Sequence, residues 1–422
     1  MKKLIAVLIV AALVISTVCV LVACDGNKSE VAKAVAAAQK MSLQELEEAS
    51  KKEFTDNPNA KFEAHSLTSG VNKALTKFIE KYDWLTADNA KYVSEKGSVF
   101  QEALNTAADT GNGEKVGDFV MIQDAAFVHT LYNAKFLHSY VPSGDGFNIA
   151  KDDQNPLVGV TFNKIFYYNS ALGNDYIKNV WQLTGKDGST LKAVPVSYQS
   201  PLGEDINMSF LIMLTAPAYE AQLKTAYKSY FGKDYAKESG CPDDCKKIGY
   251  HFVEQFIAAV KTWHDSDTSE VKAMNDAAHK AGGTYFAGLA KVKDYNGANE
   301  GSTDPNSPSY WKSVLKASGY NYEIEGFNGF VYNMWTLIPD TADNPYTACL
   351  FIRYLLSEEG FKAGFNEVGY YSANTLVGSA DGTTLDSWKK GCLGEDPDYL
   401  SKNYESVSAF IKQQMTLAGK GE

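Results

Sequence analysis

Three short polar stretches carry side chains that could converge on a small molecule. Thr68 and Ser69 stand between an alternating segment that begins at Phe62 and the apolar series Val71, Leu75, Phe78 and Ile79. That places them in a loop from a strand into a helix, where Ser69 would also serve as a helix cap. Gln123 and Asp124 end the apolar run of GDFVMIQDAA. They read either as polar groups delivered at the carboxyl end of a buried strand or, for Asp124, as the cap of the next helix. Glu204 and Asp205 follow the turn QSPLG and open a further helix, where acids suit the positive end of the dipole. Hydroxyls, an amide and carboxylates in such places hold a ligand by hydrogen bonds and charge; covalent catalysis needs a nucleophile paired with a base. The chain contains neither Gly-x-Ser-x-Gly nor His-Glu-x-x-His, and His65, His129, His138, His251, His264 and His279 show no metal-ligand spacing. Asp152-Asp153 and Asp243-Asp244 read as solvated loop pairs. Binding rather than catalysis is the expectation, with no cofactor and no metal. An exported hydrolase or an adhesin is the rival class.

The elements that must position these residues follow an α/β order. Ser42–Phe54 reads as a helix with Leu43 and Leu46 on its packing stripe. The strand before Thr68, the strand before Gln123 and a helix over 125–137 follow. Leu157–Asn169, LVGVTFNKIFYYN, is a long extended run, and Phe327–Pro339, FNGFVYNMWTLIP, is a second. These two could carry the chain from one lobe to another and back. Between them, short strands are expected at 193–198 and 284–292, and helices at 206–214, 218–231, 249–263 and 269–281. A helix over 346–360 and a closing helix over 398–417 complete the chain. At 422 residues two lobes are the natural expectation.

The 45% hydrophobic and 12% aromatic content is that of a globular protein, and a net charge of −11 argues against a nucleic-acid partner. Arg353 is the sole arginine. A ligand gripped chiefly by its carboxylate is therefore disfavoured, because planar bidentate capture is arginine chemistry. Lys2-Lys3, the uncharged run Leu4–Val20 and Leu21-Val22-Ala23-Cys24 resemble a bacterial lipoprotein signal peptide with its lipobox. The resemblance implies removal of residues 1–23, lipidation of Cys24, and a tether over residues 24–41 that holds the chain outside the cytoplasm at the cell membrane. Outside the cytoplasm, Cys241 and Cys245 are close enough in sequence for a small-loop disulfide, while Cys349 reads as a buried thiol.

Several pieces, in order, resemble the solute-binding proteins of bacterial ABC importers, with the two-lobed type II periplasmic-binding-protein fold. They are LEEASKKE at 46–53, KFEAHSLTSG at 61–70, LVGVTFNKIFYYN followed by NVWQLT, and NPYTACLFIRYLLSEEGFKAGFNEVGYYSAN at 344–374. The resemblance implies mixed sheets flanked by helices, a hinge between lobes, and capture of a small solute for delivery to the importer's permease by a monomer. It implies lobe 1 over 42–158, lobe 2 over 159–329, and a return crossing with C-terminal helices completing lobe 1 over 330–422. It carries ligand contact to Thr68, Ser69, Gln123, Asp124, Tyr168, Asn169, Glu204 and Asp205, with Trp181 as an apolar wall and Asn328 as a further candidate. Ferric-binding relatives hold the metal with paired tyrosines; Tyr167-Tyr168 and Tyr370-Tyr371 are adjacent pairs, but neighbours in a strand point to opposite faces. Carbohydrate is slightly favoured as the solute over a polyamine-like cation, which Asp124, Glu204 and Asp205 could serve.

Overall fold

A computed structural model describes residues 28–94, 97–113, 116–169, 177–236, 247–271, 273, 287–291, 315–320 and 323–419. Cys24, Cys241 and Cys245 lie outside the described residues, so neither the lipidation nor the disulfide expectation is addressed by it.

The chain begins with α1 (Glu30–Ala38) and α2 (Leu43–Asp56). Ser42 and Glu45 close a reciprocal capping box at the start of α2, and the packing stripe falls on Leu46 and Ser50, leaving Leu43 exposed. Next come β1 (Phe62–Ser66), α3 (Ser69–Lys81), β2 (Ala90–Ser94), α4 (Gly97–Thr110), β3 (Phe119–Gln123) and α5 (Ala125–Asn133). In α3 the residues Val71, Ala74, Leu75 and Phe78 are buried, the face expected from their spacing. β1 pairs in parallel with β2 on one side and β3 on the other, so the loops at their carboxyl ends lie along one edge of this half.

The short β4 (Leu137–His138) leads to β5 (Val158–Asn169). The second half holds β6 (Val196–Gln199), α6 (Asp205–Met213), α7 (Glu220–Phe231), α8 (Ile248–Ala259), β7 (Val260–His264), β8 (Ala287–Lys291) and β9 (Leu315–Ala317). β10 (Gly329–Pro339) returns, followed by α9 (Pro345–Leu355), α10 (Glu358–Phe365), β11 (Tyr370–Ser372), α11 (Leu385–Gly391), β12 (Leu393–Gly394) and α12 (Pro397–Leu417). The strand order β2-β1-β3-β10-β5-β8-β6-β7 sets β10 antiparallel to both β3 and β5. The two extended runs singled out in the sequence are therefore neighbours at the centre, each long enough to serve both halves.

Alternation along β5 sorts its side chains. Phe162, Phe166 and Tyr168 join the main apolar core, whereas Ile165 and Tyr167 join a second cluster with Val331, Tyr371 and Trp388. Lys164 is wholly buried on this strand and its ammonium is fully used, by Asp267 at 2.8 Å, Asn207 at 2.7 Å and Gln199 at 3.3 Å.

Three expectations differ from the structure. The helix expected over 249–263 stops at Ala259, and Val260–His264 is instead β7, parallel to β6. Valine, threonine and tryptophan suit a strand once a partner is present. The helix expected over 346–360 breaks at Leu356, because Ser357 caps a new helix by accepting from the Gly360 N–H. The helix expected over 125–137 ends at Asn133, and Leu137–His138 is β4 instead. The last helix begins at Pro397 and lies against α5 as well as α6 and α8, so it touches both halves.

Candidate ligand-binding site

Two helix starts face each other across the halves. α5 begins where β3 ends, and Asp124 caps it by accepting from the Phe127 N–H at 3.1 Å. Both readings of Asp124 thus hold together, as strand end and as cap. Its backbone lies at φ 96° and ψ 86°, a left-handed geometry that costs a residue with a Cβ and is common at ligand sites. α6 begins at Asp205 after the turn that follows β6. Apolar packing fixes this start, since every residue from Ile206 to Met213 is buried.

Polar contacts join the two. The Gln123 side-chain amide donates to Glu204 Oε1 at 2.8 Å. Gln101, on α4, donates through one nitrogen to Asp124 Oδ2 at 2.9 Å and to Asp205 Oδ2 at 3.3 Å. The four residues Gln123, Asp124, Glu204 and Asp205 are therefore brought together, from segments about eighty positions apart in the chain. Gln101 is the member the sequence reading missed; a glutamine beside buried Phe100 on an amphipathic helix carries no mark of its own.

The charge at this meeting is uncompensated. Among the described residues Asp124, Glu204 and Asp205 enter no ion pair. Burial pushes the Asp124 carboxyl up to about 6, with the Asp205 charge adding to it and the Phe127 and Gln101 hydrogen bonds opposing. Burial and then Glu204 raise Asp205 as well. Burial raises the Tyr404 phenol on α12, and both aspartates add to that. A group that brings positive charge here would be favoured by every one of these neighbours.

The other expected residues are placed elsewhere. Thr68, not Ser69, caps α3, accepting from the Gly70 N–H at 3.3 Å; Ser69 is exposed, and neither hydrogen-bonds to the four residues above. Tyr168 is buried in the main core. The backbone of Asn169 ends β5, and its side chain lies outside the described residues. Trp181 is 1% exposed, ringed by Tyr227, Phe231 and Phe252, with its indole N–H donating to Leu223 O at 3.1 Å. It is core of the second half and offers no wall to the gap. Asn328 spends its amide locally, accepting from Ile324 N and donating to Glu323. Tyr167 and Tyr168 point to opposite faces, as alternation requires, and are both buried. Cys349 and Cys392 are buried free thiols. No group of three or more histidine, cysteine or acidic side chains among the described residues could hold a metal ion.

Solved structures share this fold. A ferric binding protein from Campylobacter jejuni aligns with a TM-score of 0.57 at 13% identity, over 84% of this chain and 99% of its own. The chain has the two-lobed fold of periplasmic binding proteins. Trichodesmium IdiA (FutA), in complex with iron and citrate, aligns with a TM-score of 0.52 at 16% identity, over 85% of this chain and 99% of that one. The binding protein MotA of A. tumefaciens B6, in complex with glucopine, gives 0.54 at 12% identity over 84% and 99%. No family model matches the chain, and no curated protein matches it. At these identities the likeness carries the fold. Asp124 follows β3 of the first half and Asp205 follows β6 of the second. No helix among the described residues is long and apolar enough to cross a membrane.

Proposed function

We propose that the chain is the solute-binding lipoprotein of an ABC importer, held at the cell membrane through Cys24, and that its interlobe gap takes a cationic organic solute. It captures and hands over its solute without transforming it. The observation that carries this reading is the bridge from Gln101 to Asp124 and Asp205, which gathers acidic groups of both lobes with no base among them. A ligand that touches both lobes favours the closed form by its extra affinity for it. The slight lean toward carbohydrate gives way here, because a neutral sugar would leave buried carboxylates without the charge they call for. A ferric ion is the second reading, supported by what the similar structures from Campylobacter and Trichodesmium bind by their titles. We favour it less because the adjacent tyrosines Tyr167-Tyr168 and Tyr370-Tyr371 are each divided between two apolar clusters.

A thermal-shift screen of the purified chain tests this, because a bound solute raises apparent stability by mass action. The panel is putrescine, spermidine, choline, glucose, maltose and ferric citrate. A rise with one of the organic cations alone is the expected result. A rise only with a sugar or with ferric citrate overturns the cation assignment, and titration calorimetry on the hit fixes its affinity.

A further inference from the structure

We propose that a groove between the lobes, separate from the Asp124–Asp205 gap, is a second site, for a small zwitterion such as a free α-amino acid or a short peptide. The groove encloses about 420 Å³, within the roughly 300–1,000 Å³ usual for small-molecule sites. Its floor is β10, at Trp335. His129 of α5, Asp153, Lys389 and Lys390 of α11 and Glu395, which follows β12, line it from the first half, and Tyr219 and Gln222 line it from the second. None of Gln101, Gln123, Asp124, Glu204 or Asp205 lines it.

Glu395 is what asks for a ligand. Its Oε2 accepts from the Asn333 N–H at 2.9 Å, whereas Oε1 is sealed from solvent with no hydrogen-bond partner. A carboxylate oxygen in that condition is costly unless a donor reaches it, and an ammonium group supplies both the donor and the charge. Burial, the largest cause, together with the Asp124 charge pushes this carboxyl up to about 8, against the pull of the Asn333 hydrogen bond. The opposite requirement stands in the same groove. Lys389 and Lys390 are exposed and enter no ion pair among the described residues; the Lys389 charge is felt by Asp153, and the two together still offer ammonium groups to a carboxylate. A pure anion would leave Glu395 Oε1 without a donor, and a pure cation would add charge beside Lys390 with nothing to offset it. One molecule with both charges answers both. Trp335, with the His129 ring edge-on at 6.0 Å, gives an apolar surface for whatever side chain lies between the charges. Because the walls come from both lobes, occupancy here would bear on closure of the hinge. The inference stands whether or not the gap takes a cation.

The test uses the full chain in detergent, with each proteinogenic L-amino acid and the dipeptides Gly-Gly and Ala-Ala as probes in titration calorimetry. At least one probe is expected to bind with a Kd below about 1 mM. Lys389→Ala/Lys390→Ala, whose side chains are exposed and whose fold is not at risk, should weaken that binding about tenfold or more. Glu395→Gln should do the same with its melting temperature recorded alongside, and Asp205→Asn should change it by less than about twofold. Absence of binding by every probe overturns the site. So does binding that Asp205→Asn abolishes while the lysine double variant retains it.

Discussion

Gln101 holds Asp124 and Asp205 on a single side-chain nitrogen, at 2.9 and 3.3 Å, and so ties together two lobes whose facing groups otherwise repel. Its hydrogen bonds offset the like charges in the closed arrangement. In Gln101→Ala that offset is lost and the ligand-free chain should spend more time open. Small-angle scattering should show a larger radius of gyration, and solute affinity should fall about tenfold, since two hydrogen bonds to charged groups go. An unchanged radius together with unchanged affinity would remove Gln101 from the closing contacts.

Asp205→Asn keeps the shape and takes away one negative charge. Affinity for an organic cation should fall by roughly 10- to 100-fold, while the ligand-free melting temperature stays level or rises, because repulsion from Glu204 and Asp124 is relieved. Calorimetry and a melt on the same sample check both halves of this statement. If the solute bound as tightly as before, the charge argument for the gap would fail.

Trp181 behaves as a core residue. Trp181→Ala should destabilise the chain by about 3–5 kcal/mol, the usual cost of truncating a large buried ring. Solute affinity of the folded fraction should stay within about twofold, since the ring contacts Tyr227, Phe231 and Phe252 and not the gap. Urea unfolding with calorimetry separates the two effects. Loss of affinity without loss of stability would return Trp181 to the ligand.

These contrasts show how much of the site the residues themselves disclose. Long apolar and aromatic runs located β5 and β10, because central strands buried on both faces read as near-continuous apolar stretches. Strand ends and helix starts located Gln123, Asp124, Glu204 and Asp205, because a polar group following an apolar run has few other places to go. Gln101 was illegible, since its role comes from α4 lying beside two helix starts, a tertiary fact. Trp181 misled because a tryptophan serves equally as wall or core, and only the fold shows the aromatic rings around it. The end of α8 at Ala259 was hidden for a related reason: Val260–His264 becomes a strand only because β6 lies alongside.

Stability should depend on pH in one direction. Burial pushes Glu53 and Asp118 up to about 7 and Glu395 to about 8. In the unfolded chain carboxyls titrate near 4. A group raised in the folded state keeps its proton more firmly there, so its contribution is full below about pH 4 and is lost as pH climbs through 7 to 8. The melting temperature of the ligand-free chain should therefore fall between pH 5.5 and pH 8.5, as these three carboxyls and Asp124, raised to about 6, ionise in place. Glu395→Gln should flatten the upper part of that fall. A melting temperature that rises over the interval would show that these acids are ionised and satisfied in the fold.

Lys164 offers the sharpest check on how the second lobe is tied to the central strands. Its ammonium reaches Asp267, Asn207 on α6 and Gln199 on β6, all from a buried position on β5. Truncation to Lys164→Ala takes the cation from a buried carboxylate and opens a cavity, so it should cost about 3–5 kcal/mol. Lys164→Met keeps most of the volume and loses only the charge and its hydrogen bonds. Adding Asp267→Asn to it removes the carboxylate that Lys164 faced and should recover part of the loss, since a buried charge that has lost its cation is penalised. Because α6 also presents Asp205 to the gap, the Lys164→Met variant should bind solute more weakly even where it is fully folded. A double-mutant cycle in urea and calorimetry on the folded variant read the two terms. If Asp267→Asn gave no recovery, the Asp267 carboxylate would be held by other groups and the tie would not be this ion pair.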